Sequence, residues 1–154
     1  MTKEFKTGDK APDIILNNQN NEEIVISKIK SKKIIFFYPK DNTPGCTKEA
    51  IGFSGLLQDF NKLNCILYGI SKDDYKKHTR FIEKYSLKIN LLSDIEGKTC
   101  MDYRVWKEKS MYGKKYMGIE RTTFLLDEKN FILNIWNKVK VNNHAEEVLA
   151  FFKN

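Results

Sequence analysis

The sequence has few of the residues that build disulfide frameworks and metal sites. Its 154 residues include three cysteines, Cys46, Cys65 and Cys100, and none of them forms a C-x-x-C pair. This argues against a dithiol redox motif and a cysteine-rich zinc site. The two histidines, His78 and His144, have no metal-ligand spacing to a cysteine. We therefore expect no metal and no cofactor, and a packed or half-exposed role for His78.

Long apolar runs are also missing. No run approaches the roughly 18 residues that a membrane-spanning helix needs, and residues 1–6 have no apolar segment behind their charges, as a signal peptide would. The composition, 41% hydrophobic and 31% charged, is typical of a globular protein. We expect one domain over residues 1–154, in the cytoplasm and without membrane contact.

Arginine is scarce although the formal net charge is +7. Only Arg80, Arg104 and Arg121 are present, and the many lysines form no block of five or more like charges. Recognition of phosphates and bases commonly uses arginine forks. A solvated lysine-rich surface is therefore favoured, and nucleic-acid binding, which rests on net charge alone, is not expected.

Apolar runs and helical spacings alternate along the chain. The runs at residues 11–16 and 23–26 flank an Asn-rich turn and predict a hairpin. The unbroken apolar run 34–38 predicts a central strand covered on both faces. The remaining predictions are a helix from Cys46, a strand at 64–70, a helix at 73–85 capped by Ser71 or Asp73, a strand end at 91–94, a short helix at 97–103, a loop or irregular hairpin at 106–118, a strand pair at 122–127 and 131–136, and a final helix capped by Asn143. This order predicts an α/β, thioredoxin-like fold: a central mixed β-sheet with helices on both faces and an N-terminal β-hairpin.

Cys46 lies where a thiolate is easily formed. It follows a buried strand and a polar turn and opens a helix, whose free N–H groups and dipole favour an anion. No histidine is close in sequence, which counts against a cysteine-protease arrangement. Thr43 is either a helix cap or a hydroxyl that hydrogen-bonds both the sulfur and a substrate oxygen. By itself, Pro39 reads as a strand terminator.

These residues carry a family resemblance. Residues 39–46, P-K-D-N-T-P-G-C, match the P-x-x-x-T-x-x-C signature of peroxiredoxins, and residues 37–47 resemble the bacterioferritin comigratory protein (BCP/PrxQ) subfamily. The resemblance continues through residues 91–94, 111–114, 116–119, 121–124 and 143–145, and so covers nearly the whole chain. It implies a thiol-dependent peroxidase that reduces hydrogen peroxide and organic hydroperoxides, and it favours a monomer.

The resemblance also implies residue roles. Cys46 matches the peroxidatic cysteine, which becomes a sulfenic acid; Thr43 matches the threonine that positions sulfur and peroxide; and Pro39 matches the proline that shields the sulfur. Arg121 matches the arginine that stabilises thiolate and transition state, and Glu49 a glutamate that orients this arginine. Arg121 as a surface residue at a strand start, and Glu49 as a helix-surface charge, remain the alternatives.

The residues that would reduce the oxidised Cys46 depart from the family pattern. Many members have a resolving cysteine five residues after the peroxidatic one, where this chain has Ile51, and residues 73–85 contain none either. A one-cysteine cycle is favoured, with thioredoxin, glutaredoxin or glutathione as the reductant. The alternative resolver is Cys100, with Cys65 less favoured because it is expected to be buried. A different function also stays open: a redox-sensing binding protein switched by oxidation of Cys46 without sustained turnover.

Overall fold

The structure is a computed structural model that describes residues 4–153. Within this range the chain forms nine strands, five α-helices and one 3-10 turn. The strands are β1 (Ile15–Asn17), β2 (Glu23–Val25), β3 (Lys32–Phe37), β4 (Cys65–Ser71), β5 (Asn90–Ser93), β6 (Trp106–Met111), β7 (Lys114–Ile119), β8 (Thr122–Leu126) and β9 (Ile132–Trp136). The helices are α1 (Pro44–Gly55), α2 (Leu57–Lys62), α3 (Tyr75–Tyr85), α4 (Lys98–Asp102) and α5 (His144–Phe151), and the 3-10 turn is Ile26–Lys28.

The described part of the chain contains one seven-stranded sheet, in the order β2-β1-β5-β4-β3-β8-β9, and one two-stranded sheet, β6-β7. Strand β3 pairs in parallel with β4 and antiparallel with β8, so the large sheet is mixed. β1 and β2 form an antiparallel hairpin at one edge. The mixed sheet and the N-terminal hairpin predicted from the sequence are both confirmed.

Strand β3 is covered on both faces, as its unbroken apolar run predicts. Ile34 and Phe36 belong to a core formed with α1, α2, α3 and α5, while Ile35 and Phe37 belong to a second core on the opposite face. The second core contains side chains from α4, from the 3-10 turn and from the N-terminal segment. Helices therefore lie on both faces, and the large sheet separates Cys46 in the first core from Cys100 in the second.

Helix α1 begins two residues before Cys46. Pro44 occupies its first position, where the missing N–H costs no hydrogen bond and the fixed φ suits a helix. The ring of Phe53 stacks on Phe36 of β3 with centroids 4.7 Å apart, which holds α1 against the sheet. Among residues 4–153, no helix has both the length and the apolar character needed to cross a membrane.

Three local predictions need correction. The segment predicted as a loop or irregular hairpin is the regular hairpin β6-β7, and Tyr112 and Gly113 at its turn both have positive φ, 52° and 79°. Such turns match the twist of the flanking strands. Helix α3 is capped by Asp74, whose carboxylate accepts from the N–H of Lys77 at 2.8 Å, rather than by Ser71 or Asp73. Asn143 is the N-cap residue of α5 by position, as predicted, but it lies in a left-handed conformation and its side chain makes no capping bond within the described region.

Candidate active site

The segment between β3 and α1 leads directly into Cys46. Pro39 and Thr43 lie on it and are both half-buried. The Thr43 hydroxyl donates to the carbonyl oxygen of Lys40 at 2.9 Å, and its own carbonyl accepts from the N–H of Thr47 in the first helical turn. Thr43 is therefore the N-cap residue by position, while its hydroxyl holds the preceding turn together.

Sheet register brings a remote arginine to the same place. Phe37 at the end of β3 pairs with Thr122 at the start of β8, so Arg121 lies beside the segment that follows β3. Arg121 Nη1 is 3.3 Å from Cys46 Sγ and donates to Glu49 Oε1 at 2.9 Å. Cys46 and Glu49 are each 2% exposed. A thiol, a guanidinium and a carboxylate from two distant parts of the sequence thus form one contact group.

Gly45 makes room for the guanidinium. A Cβ atom at this position would lie 3.2 Å from Arg121 Nη2, closer than nearly all ordinary Cβ contacts. The absence of a side chain at residue 45 therefore allows Arg121 to lie against the start of α1. The sequence motif contains this glycine, but the steric requirement for it follows from the position of Arg121 in the folded protein.

Glu49 is a member of this contact group, and its pKa is shifted away from its ordinary value. Burial raises the pKa of its carboxyl to about 7, although Arg121 acts in the opposite direction through its charge and its hydrogen bond. Oε1 receives the hydrogen bond from Arg121, whereas Oε2 is buried and has no hydrogen-bond partner among residues 4–153. The carboxyl of Glu49 therefore holds its proton more readily than an ordinary glutamate does.

A buried polar network fastens the segment before Cys46. Tyr38 donates to Asp41 Oδ1 at 2.5 Å, and Asp41 Oδ2 lies 2.6 Å from His78 Nδ1 on α3. His78 Nε2 lies 3.0 Å from the carbonyl oxygen of Leu92. The expectation that His78 is a packed side chain is met, since it is fully buried. The contact of His78 with Asp41 was not predicted from the sequence. A charged residue soon after a buried strand could have indicated a buried polar partner.

The β6-β7 hairpin brings a lysine that the sequence did not single out. Burial lowers the pKa of Lys109; the charge of Arg121 acts in the same direction, and Cys46 and Glu120 act in the opposite one. Lys109 therefore shares the electrostatic environment of Cys46 and Arg121. The strands of this hairpin are largely exposed, so no apolar periodicity marked them.

The other two thiols are placed elsewhere. Cys100 is fully buried on the opposite face of the sheet, where burial and then Asp94 raise its pKa far above the ordinary value. Cys65 begins β4 opposite Lys32, the first residue of β3, while Cys46 follows the far end of β3. β3 extends ~17 Å. Burial raises the pKa of Cys65 to about 12, so both thiols are protonated at neutral pH.

Comparisons with known proteins show the family to which the chain belongs. The AhpC/TSA family model matches residues 7–135. A relative from Coxiella burnetii named putative peroxiredoxin bcp is 47% identical, over 95% of this chain and 97% of its own length. A solved structure of Xylella fastidiosa PrxQ has a TM-score of 0.92 at 35% identity, over 99% of this chain and 98% of that one.

A second solved structure concerns the alkyl peroxide reduction activity of the Xanthomonas campestris bacterioferritin comigratory protein. It has a TM-score of 0.85 at 39% identity and covers 91% of this chain and 90% of that one. The predicted thioredoxin-like fold is thereby confirmed. The chain belongs to the AhpC/TSA family as a peroxiredoxin of the BCP/PrxQ subfamily, and it is a thiol-dependent peroxidase.

Proposed function

We propose that the thiolate of Cys46 attacks the terminal oxygen of a peroxide. The observation that carries this role is the 3.3 Å contact between Cys46 Sγ and Arg121 Nη1 at the start of α1. The sulfur–oxygen bond forms as the oxygen–oxygen bond breaks, and the leaving oxygen departs as water or an alcohol after taking up a proton. The sulfur loses two electrons and becomes a sulfenic acid.

Arg121 stabilises both ends of this displacement. Its planar guanidinium keeps its charge at all working pH values and offers several donors in fixed directions. Nη1 is held by Cys46 and Glu49, while Nη2 lies against Gly45 at the start of α1. As charge moves from sulfur to the leaving oxygen, the fixed donors follow it without reorganising. Glu49 acts as the group that keeps the guanidinium oriented.

Thr43 serves the peroxide as an acceptor. Its single hydroxyl hydrogen is directed to the carbonyl of Lys40, so its lone pairs are what it can offer to the peroxide O–H. We expected from the sequence a hydroxyl that hydrogen-bonds both the sulfur and a substrate oxygen, and here its hydrogen is engaged by Lys40 instead. Pro39, half-buried on the same segment, limits water near the reacting atoms.

Recycling depends on a thiol from outside the chain. Cys100 lies across the sheet and Cys65 lies at the other end of β3, and all three cysteines are free and buried. Ile51, five residues after Cys46, is 46% exposed and offers no sulfur. Glutathione, a glutaredoxin or thioredoxin therefore reduces the sulfenate directly, with the protein acting as a monomeric, single-domain enzyme in the cytoplasm.

The substrates are hydrogen peroxide and organic hydroperoxides. Alkyl peroxide reduction, described for the Xanthomonas campestris relative, supports the second group. The partly open approach to Cys46, where Arg121 keeps 18% of its side chain exposed, suits a substrate with a small or projecting hydroperoxide end.

Intact mass spectrometry after one equivalent of peroxide tests the cycle. We expect one added oxygen in the wild type and in Cys65→Ser and Cys100→Ser, and none in Cys46→Ser. A loss of two hydrogens that disappears in Cys100→Ser would overturn the one-cysteine cycle. Oxidation of Cys46 without sustained turnover on any thiol would instead favour the redox-sensing function.

A further inference from the structure

A basic groove lies beside the segment that carries the active-site motif. It has a volume of about 330 Å³ and runs between residues 40–42 and α3. Four cationic side chains line it, all on exposed residues: Lys40, Lys77, Arg80 and Lys84. A cavity of this size is at the lower end of the range for small-molecule sites, roughly 300–1,000 Å³.

The carboxylates at the base of the groove are already engaged. Asp73 Oδ2 accepts from the N–H of Asp41 and from the hydroxyl of Ser71, both at 2.8 Å. Asp41 binds Tyr38 and His78. Both acids are buried and hydrogen-bonded to other groups, and among residues 4–153 neither forms an ion pair with a cation at the rim.

The cations lack carboxylate partners. Among residues 4–153, Lys40, Lys77, Arg80 and Lys84 take part in no ion pair. Lys84 Nζ donates to Asn42 Oδ1 at 3.3 Å. The nearby carboxylate of Asp74 caps α3; its pKa is lowered first by the N–H of Lys77 and then by surrounding lysine and arginine charges. Four cations against the three carboxylates of Asp41, Asp73 and Asp74 leave the groove with a net positive charge, carried by the exposed side chains at its rim.

The groove is within reach of Cys46. Its wall at residues 40–42 continues through Thr43 into α1, and the carbonyl of Lys40 holds the Thr43 hydroxyl. Three residues lie between Asn42 and Cys46, and the four steps from one to the other span at most ~14 Å even when fully extended. A tripeptide extends ~10 Å. A small thiol anchored at the near end of the groove can therefore present its sulfur to residue 46.

We propose that this groove binds the carboxylates of a small acidic thiol that reduces the sulfenate of Cys46. The inference rests on the proposed one-cysteine function. A small thiol is favoured over a protein because the groove is narrow, whereas a stable protein interface buries about 800 Å² on each partner. Charge complementarity selects thiols with carboxylates over neutral ones.

The reduction balances with two such thiols. The first thiolate attacks the sulfur of the sulfenic acid, a disulfide bond forms, the sulfur–oxygen bond breaks, and hydroxide leaves as water after protonation. The second thiolate attacks the sulfur of the bound thiol and releases Cys46 as a thiolate. Two thiols lose one electron each, and the sulfenic sulfur regains two.

The test compares two thiols on a preformed sulfenate. The probes are glutathione, which has two carboxylates, and 2-mercaptoethanol, which has none. We expect the double variant Lys77→Glu/Arg80→Glu to lower the rate constant for sulfenate reduction by glutathione about tenfold. The rate constant for 2-mercaptoethanol should stay within twofold. Lys28→Glu/Lys30→Glu, which makes the same charge change at exposed positions of the 3-10 turn and beyond it, should resemble the wild type.

Two readouts separate the outcomes. Failure of wild-type Cys46 to form a sulfenate would overturn the proposed function itself. Normal sulfenate formation with an unchanged glutathione rate in the double variant would overturn the groove alone. If the double variant is misfolded by circular dichroism, Lys40→Gln at an exposed position provides the same comparison with a smaller charge change.

Discussion

His78 Nδ1 and Asp41 Oδ2 lie 2.6 Å apart in the protein interior. The carbonyl oxygen of Leu92 can only accept, so His78 Nε2 donates to it and Nδ1 is left for the hydrogen bond with Asp41. This pair joins α3 to the segment that leads into Cys46. The active-site segment is therefore fixed by a neighbour that takes no part in the chemistry.

Replacing His78 should loosen this segment. In His78→Leu, Asp41 keeps the Tyr38 hydroxyl but loses its imidazole partner while still buried. We expect the free energy of unfolding to fall by about 3–5 kcal/mol, the usual result of removing one member of a buried pair. Urea denaturation measures this. Asp41→Asn retains hydrogen-bonding capacity towards both neighbours and should lose less, and a loss below about 1 kcal/mol in His78→Leu would contradict the clamp.

Gly45→Ala should slow peroxide reduction without unfolding the protein. The new Cβ would lie 3.2 Å from Arg121 Nη2 and push the guanidinium away from Cys46. We expect the second-order rate constant with hydrogen peroxide, measured by stopped flow, to fall by about tenfold, which corresponds to ~1.4 kcal/mol.

Gly55→Ala is the matched control for this change. Gly55 lies on the same helix, with open space around its Cα. It should keep full activity and gain about 0.5–1 kcal/mol of stability from reduced chain entropy. Equal rates in both variants would show that Arg121 tolerates displacement.

Arg121→Lys should cost more than the loss of a single contact. An ammonium cannot serve Cys46 and Glu49 while also presenting a second donor at the start of α1, as the guanidinium does. We expect the rate constant for sulfenate formation to fall about 10²–10³-fold. Arg104→Lys, a control on a guanidinium that stacks over the Phe5 ring at 4.3 Å, should leave this rate constant unchanged.

Glu49 should give stability a distinctive pH dependence. Its pKa is about 7 in the folded protein against an ordinary 4.5, so the folded state holds the proton more tightly than the unfolded state. Its contribution to stability is complete below pH 4.5 and is lost as pH rises through 7. Glu49→Gln removes this dependence.

The difference between the two proteins isolates the effect. Unfolding free energies of wild type and Glu49→Gln, measured across this pH range, should diverge by up to about 3 kcal/mol, with the wild type weakening relative to the variant as pH rises. Parallel curves would mean that burial does not raise the pKa of Glu49. Activity should change little, because the amide oxygen still accepts from Arg121.

The order of strands and helices could be predicted from the sequence because the buried segments are strongly apolar. β3 and α1 were predicted within a few residues, since an unbroken apolar run and a proline-led helix start are local signals. The regular pairing of β6 with β7 was not predicted, because these strands face solvent and have no apolar periodicity. Local pattern identifies buried elements better than exposed ones.

The candidate site likewise has features that could be predicted from the sequence and features that could not. The segment around Cys46 is contiguous and could be recognised as a motif, and Arg121 came from the family resemblance. The partnership of Asp41 with His78 and the contact between Gly45 and Arg121 could not be inferred, because each depends on register and packing between distant elements. Which lysines remain unpaired is likewise a property of the folded surface.

The large sheet separates Cys100 from Cys46 and Cys65, and the length of β3 separates Cys65 from Cys46. In the proposed one-cysteine cycle, the sulfenate either meets a reductant from solution or meets another peroxide and becomes a sulfinic acid, which ordinary thiols do not reverse. The ratio of peroxide to thiol around the molecule, and not its own architecture, decides between these fates. A shortage of reductant would then inactivate a fraction of the molecules irreversibly.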